Sequence, residues 1–138
     1  MKTKYVFPAV FEPEEDGVFS VYFPDVEGCY TQGDDIEEAL YNAEDALSLM
    51  LYGMEERKEP IPRPSSIASI EAELPEGHFA SLVKCDTITY RKKIHSKAVR
   101  KTLTIPEWLN DIAEREDVNF SSVLQSALKN VLGVDTTM

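Results

Sequence analysis

The chain has 138 residues, with 25 acidic against 14 basic side chains and a formal net charge of −11. That length suits one ordinary domain or two very small ones. No run of 18 or more apolar residues occurs, which argues against a membrane helix, and Met1-Lys2-Thr3-Lys4 leads straight into a strand pattern rather than an apolar export signal.

The charge is unevenly spread. Residues 1–83 carry 18 acids and 5 bases, a balance of −13; residues 84–101 carry 1 acid and 7 bases, a balance of +6; residues 102–138 carry 6 acids and 2 bases, a balance of −4. An acidic body with one short basic strip suits a basic partner at the body and an anionic one at the strip. The two cysteines, Cys29 and Cys85, form no CxxC or Cys/His ligand cluster and are expected as free thiols in a reducing cytoplasm. The sequence gives no sign of a metal or cofactor site.

In chain order, Lys4–Glu12 reads as a first strand with Tyr5, Phe7, Ala9 and Phe11 on one side; Pro8 places it at an edge or a bulge. Glu12–Gly17 is a turn, so a second strand, where Phe19, Val21 and Phe23 alternate with Val18, Ser20 and Tyr22, should return beside it as a hairpin. Pro24 stops that strand, and Gly28 and Gly33 can take positive φ at the two ends of a short Cys29–Gln32 strand. Asp34 then sits as a helix N-cap with Glu37 three residues on. Behind it Ala39, Leu40, Ala43, Ala46, Leu47, Met50 and Leu51 form one apolar stripe, with Glu37, Glu38, Asn42, Glu44, Asp45 and Ser48 off it.

The run from Phe23 to Leu40, F-P-D-x-x-G-C-x-T-x-G-D-x-x-E-E-A-L, with its flanks from Tyr5 to Leu51, resembles the N-terminal domain of the HicB antitoxin family. The resemblance implies a partial RNase H-like sandwich, an antiparallel sheet plus a helix, that binds and silences a small basic ribonuclease toxin, HicA.

Beyond Gly53, prolines at 60, 62 and 64 favour an extended crossover, Ile67–Leu74 fits either regular structure, and Phe79–Tyr90 alternates as a further strand. Arg91–Ser96 reads as a basic link, and a boundary there divides the chain into residues 1–92 and 93–138. After it, Val99, Leu103 and Ile105 share one face of a short strand, interrupted by Lys101, while Arg100, Thr102 and Thr104 share the other. Pro106 opens a helix carrying Trp108, Leu109, Ile112 and Ala113; Asn119 caps a second, carrying Val123, Leu124, Ala127, Leu128, Val131 and Leu132; Gly133 ends it.

Strand, helix, helix in about 40 residues is too little to make a core alone. A lone strand also leaves half its ladder groups unmet. Two chains pairing that strand and interlocking their helices would resolve both. Lys97 to Gly133, with R-x-T-x-T-I-P at Arg100–Pro106, resembles the ribbon-helix-helix DNA-binding family. The whole is then an α+β protein whose C-terminal segment makes a homodimer, with pairing into tetramers left open.

A two-stranded ribbon fits the DNA major groove, so Arg100, Thr102 and Thr104 would face base edges of operator DNA. Lys97 and Lys101, with Arg91, Lys92 and Lys93, would add phosphate attraction; Asn119, Ser121 and Ser122 at a helix N-terminus could hold a phosphate, or simply cap the helix. Tyr22, Tyr30 and Tyr41 are candidate interface anchors. Asp25, Asp34, Asp35, Glu44 and Asp45 offer carboxylates for RNase H-type chemistry, but Asp34 is better explained as a cap, and His78 and His95 lie in a turn and a link. No catalytic motif occurs, so the expectation is an antitoxin and autorepressor rather than an enzyme. A regulator sensing a ligand or another protein, without a cognate toxin, is the alternative.

Overall fold

A computed structural model of the chain describes residues 1–134. Contacts divide it into two compact units: one is Thr3–Ile94, and the other takes in Met1–Lys2 and the residues from His95 onward.

The first unit is a four-stranded antiparallel sheet backed by one long helix. Its strands are β1 (Lys4–Pro13), β2 (Phe19–Tyr22), β3 (Tyr30–Gly33) and β4 (Phe79–Asp86), in the order β3-β2-β1-β4. The β1–β2 hairpin pairs Val10 with Tyr22 and Pro13 with Phe19. Helix α1 (Ile36–Glu56) lies on one face and α2 (Ile67–Glu71) packs against β4. Tyr5, Phe7, Ala9 and Phe11 point inward with Val21, Val83 and Cys85, and meet Ala39, Ala43, Leu47 and Leu51 of α1. Phe7, Phe11, Leu47 and Leu51 are essentially inaccessible to water. Burying each such side chain is worth about 1.5–3 kcal/mol, so this layer is what holds the unit together.

Several expectations are corrected. β1 is an interior strand, not an edge: β4 pairs with it from Lys4 to Phe11, but β2 reaches it only from Val10 to Pro13. Pro8 sits in the half that β2 leaves open, so a missing N–H costs no ladder bond on that side. The cap of α1 is Asp35, not Asp34. The Asp35 carboxylate accepts from the Glu38 amide at 2.8 Å, and the Asp34 amide donates to the Glu38 carboxylate at 3.1 Å. The reciprocal box is real but shifted by one residue.

Gly33 does not take positive φ. It is needed because β3 runs close beneath α1: a Cβ there would lie 2.2 Å from the Ala39 amide nitrogen. On α1, Leu40 is exposed, whereas Ser48 is buried and donates its hydroxyl to the Glu44 carbonyl at 2.7 Å.

The strand expected over Phe79–Tyr90 ends at Asp86, and Thr87–Ile94 is a helix, α3. The reason is the length of its partner. Lys4 pairs with Asp86, the Thr87 amide donates to the Thr3 carbonyl at 2.9 Å, and no ladder remains beyond. The Asp86 carboxylate then accepts from the Ile88 amide at 3.0 Å and turns the chain into a helix. Arg91, Lys92 and Lys93, expected in a link, form its last turn, where positive charge suits the helix dipole.

The second unit contains α4 (Glu107–Arg115) and α5 (Phe120–Leu132). Gly133, at φ 66°, closes α5 in a left-handed turn. Residues 97–106 carry no helix or strand.

Candidate functional site

The side chains expected to meet DNA fall in two places. Lys97, Arg100, Lys101, Thr102 and Thr104 are all exposed along the irregular segment before α4. The expected strand over 99–105 is not formed within the one chain. A strand exists only when its amides and carbonyls are paired, and among the described residues no ladder reaches this segment. Asn119, Ser121 and Ser122 lie together, exposed, at the start of α5. The Asn119 side chain accepts from the Ser122 amide at 3.0 Å, so both are engaged in capping the helix.

The apolar stripes of α4 and α5 are present and uncovered. Neither helix has a buried residue. Trp108 is 65% exposed, Ile112 51%, Leu128 49% and Val131 80%; before them Val99, Leu103 and Ile105 are exposed as well. An apolar stripe of this size is seldom left open on a folded chain that stands alone.

The first unit presents a different surface. Tyr22 and Tyr30 stand opposite each other across β2 and β3, and with Tyr41 they are exposed. Glu44, Asp45 and Asp86 line a shallow groove with Tyr41 and Tyr90. Two of the other carboxylates weighed for metal chemistry have structural tasks: Asp25 accepts from the Ser65 amide at 2.8 Å and its hydroxyl at 2.5 Å, tying down the proline-rich crossover, and Asp35 caps α1. Among the described residues no three His, Cys, Asp or Glu side chains are grouped so as to hold a metal ion.

One polar cluster was not anticipated from the sequence. The largely buried Glu55 carboxylate accepts from Thr87 at 2.8 Å, from the Tyr5 hydroxyl at 3.2 Å and from Arg91 at 3.5 Å. Arg91 also donates to Glu56 at 2.7 Å and stacks its guanidinium 4.6 Å above the Tyr52 ring. Burial, then the Glu55 charge and hydrogen bond, push the Tyr5 hydroxyl up to about 12. Burial works against the charge on Arg91, yet Glu56, Tyr52 and Glu55 outweigh it and hold its pKa above the ordinary value. The cluster fastens α3 to α1 and β1. Only Arg91 carried a sequence signal, as part of a basic run whose fold context was hidden.

A four-stranded antiparallel sheet backed by one long helix, followed by a two-helix tail, is an architecture shared with solved bacterial antitoxins. A toxin–antitoxin complex from Streptococcus pneumoniae contains a chain that aligns with a TM-score of 0.57 at 27% identity, covering 92% of this chain and 98% of that one. The crystal structure of antitoxin HicB3 aligns at 0.50 and 26% identity, covering 80% and 81%. The chain belongs to the HicB-like antitoxins of bacterial toxin–antitoxin systems, whose family model matches residues 7–127. Antitoxin HicB 2 of Photorhabdus laumondii is 31% identical over 128 residues, 92% of this chain and 90% of its own length. An uncharacterized 14.9 kDa protein of Haemophilus phage HP1 is 31% identical over 104 residues, 75% of each.

Proposed function

We propose that this chain is the antitoxin of a type II toxin–antitoxin pair and represses its own operon. The N-terminal part, residues 1–92, docks on a HicA-type toxin, a small basic ribonuclease, and covers its catalytic surface. Its acidic balance and exposed Tyr22, Tyr30 and Tyr41 suit such a partner by steering and by anchoring. The chain acts by binding, not by catalysis, in the cytoplasm.

The C-terminal part, residues 93–138, joins a second copy as a ribbon-helix-helix dimer and binds operator DNA. The observation that carries this is the open apolar stripe of α4 and α5. A second copy would cover it and pair residues 99–105 into a ribbon. Arg100, Thr102 and Thr104 would then face the major groove, Lys97 and Lys101 the phosphates, and the Asn119–Ser122 turn the backbone.

Two experiments decide it. Co-expression with the toxin encoded beside it should relieve growth arrest; failure, with operator repression intact, would favour a sensing regulator without a toxin. Arg100→Ala should cost about 1–3 kcal/mol on the cognate operator in gel shifts and relax sequence preference there. An unchanged shift removes the ribbon assignment.

A further inference from the structure

The seam between α1 and α3 takes up a guanidinium of the chain itself. Arg91 of α3 lays that group 4.6 Å above the Tyr52 ring of α1 and donates to Glu56 at 2.7 Å and to Glu55 at 3.5 Å. An aromatic face edged by carboxylates is a good seat for a planar cation. Tyr90 packs on Tyr52 with ring centroids 5.3 Å apart, and it also lines a groove of about 220 Å³ in the same seam. The groove repeats the ingredients: Tyr41 and Tyr90 rings, Glu44 and Asp45 of α1, and Asp86 at the end of β4. No arginine lines it. Lys93 does, so three carboxylates face one ammonium, and among the described residues no ion pair joins them. Asp86 gives one oxygen to the Ile88 amide, whereas the exposed Glu44 and Asp45 carboxylates have no hydrogen-bond or ion-pair partner among the described residues. The buried Ser48 hydroxyl is already bonded to the Glu44 carbonyl, so the unmatched groups of the groove are its carboxylates.

We propose that this groove receives an arginine side chain from a basic protein surface, its guanidinium lying against Tyr41 and Tyr90 and donating to Glu44, Asp45 and Asp86. The volume is below the roughly 300–1,000 Å³ of small-molecule sites, and the groove is shallow, so it suits one side chain delivered by a larger body. Arginine fits better than lysine: its plane stacks on the rings while its fork of donors reaches more than one carboxylate, and it sheds water more easily than an ammonium. On the toxin-binding reading above, on which this rests, the basic surface belongs to the toxin. Of the three exposed tyrosines the groove then selects Tyr41, on the helix that backs the sheet; Tyr22 and Tyr30 stand on β2 and β3.

Calorimetric titration of the full-length chain with the toxin encoded beside it tests this. Glu44→Gln combined with Asp45→Asn changes two exposed carboxylates that have no bond to lose, and should weaken binding about tenfold or more, as loss of an anchoring contact does. Tyr41→Ala, 66% exposed, should weaken it by a similar factor. Glu14→Gln combined with Glu15→Gln removes the same charge from the turn at the opposite end of β1 from Asp86, and should change affinity little. Thermal melts of all three should match wild type. Wild-type affinity in the Glu44/Asp45 and Tyr41 variants overturns the groove. An equal loss in the Glu14/Glu15 variant assigns the effect to overall acidity and overturns it too. A wild-type chain that does not bind the toxin at all removes the toxin-binding reading, and the groove's guest with it. Changing the toxin's arginines one at a time to lysine identifies that guest: one such change should weaken binding to the wild type yet leave binding to Tyr41→Ala as it was. Absence of any arginine with that behaviour overturns the assignment of the groove to a guanidinium.

Discussion

The two units of this chain solve the same problem in opposite ways. In the first, Phe7, Phe11, Leu47 and Leu51 are sealed between sheet and helix by residues of the same chain. In the second, Trp108, Ile112, Leu128 and Val131 lie on helices of equally clear amphipathic pattern, and none is buried. Both sequences are written with helical apolar spacing. The difference is what the chain supplies to cover the stripe: four strands in one case, a short irregular segment in the other. Amphipathicity fixes which face must be hidden; it leaves open whose surface hides it.

The sharpest break in this comparison comes from truncating one leucine in each unit. Leu47→Ala empties a fully buried site and should destabilise the first unit by about 2–5 kcal/mol in urea titration. Leu128→Ala removes a side chain that is half exposed in the single chain. Its cost should appear only through self-association, as a stability that depends on protein concentration. Equal, concentration-independent losses at both positions would mean that the tail has a core of its own.

Alkali should separate the units as well. Burial pushes the thiols of Cys29 and Cys85 up to about 11, from an ordinary value near 9, and the Tyr5 hydroxyl up to about 12, from near 10. In each group the folded state holds its proton more tightly than the unfolded state does. Their stabilising contribution is therefore complete below pH 9 and is lost as pH climbs through 11 to 12. The first unit should lose stability over that window, followed by circular dichroism, and both thiols should resist a thiol reagent at pH 8 until the chain is unfolded. Rapid labelling of the native protein would contradict the buried placement.

A smaller effect is expected at Glu55. Glu55→Ala leaves Thr87 and Tyr5 without their carboxylate and Arg91 with Glu56 and the Tyr52 ring, and should cost about 1–3 kcal/mol. Because these bonds fasten α3, amide exchange should rise first over Thr87–Ile94, and exchange in α5 should not change.

Much of the first unit was legible because its signals are local. Alternation along Tyr5–Phe11 and helical spacing over Ala39–Leu51 each point to one face, and both faces met in the core. The departures came where a distant segment decides. Alternation over Phe79–Tyr90 runs on past Asp86, but a strand lasts only as long as its neighbour, and β1 begins at Lys4. Pro8 signals an edge, yet whether β1 is interior depends on β4, more than 70 residues later in the chain. The Glu55 cluster joins residues from β1, α1 and α3 and has no spacing to announce it. In the tail, the helices and the Asn119 cap follow from sequence, while the strand expected over 99–105 has no ladder partner among the described residues.

The subtlest test concerns one residue of register at the start of α1. The box expected from the sequence is Asp34 with Glu37; a second, one residue on, is Asp35 with Glu38. The structure selects the second: Asp35 is extended at φ −146° and ψ 179°, its carboxylate meets the Glu38 amide, and Glu38 reaches back to the Asp34 amide. The same turn lies against Gly33, where a Cβ would come 2.2 Å from the Ala39 amide nitrogen. Asp35→Ala should therefore cost about 1 kcal/mol of first-unit stability, within the 0.5–2 kcal/mol typical of a lost N-cap. Asp34→Ala should cost less, since it contributes a backbone amide that alanine retains. Glu38→Ala should fall between them, losing the return bond but keeping the cap. The reverse order at positions 34 and 35, measured by urea titration of the three variants, would move the helix start back by one residue and detach it from the Gly33 contact.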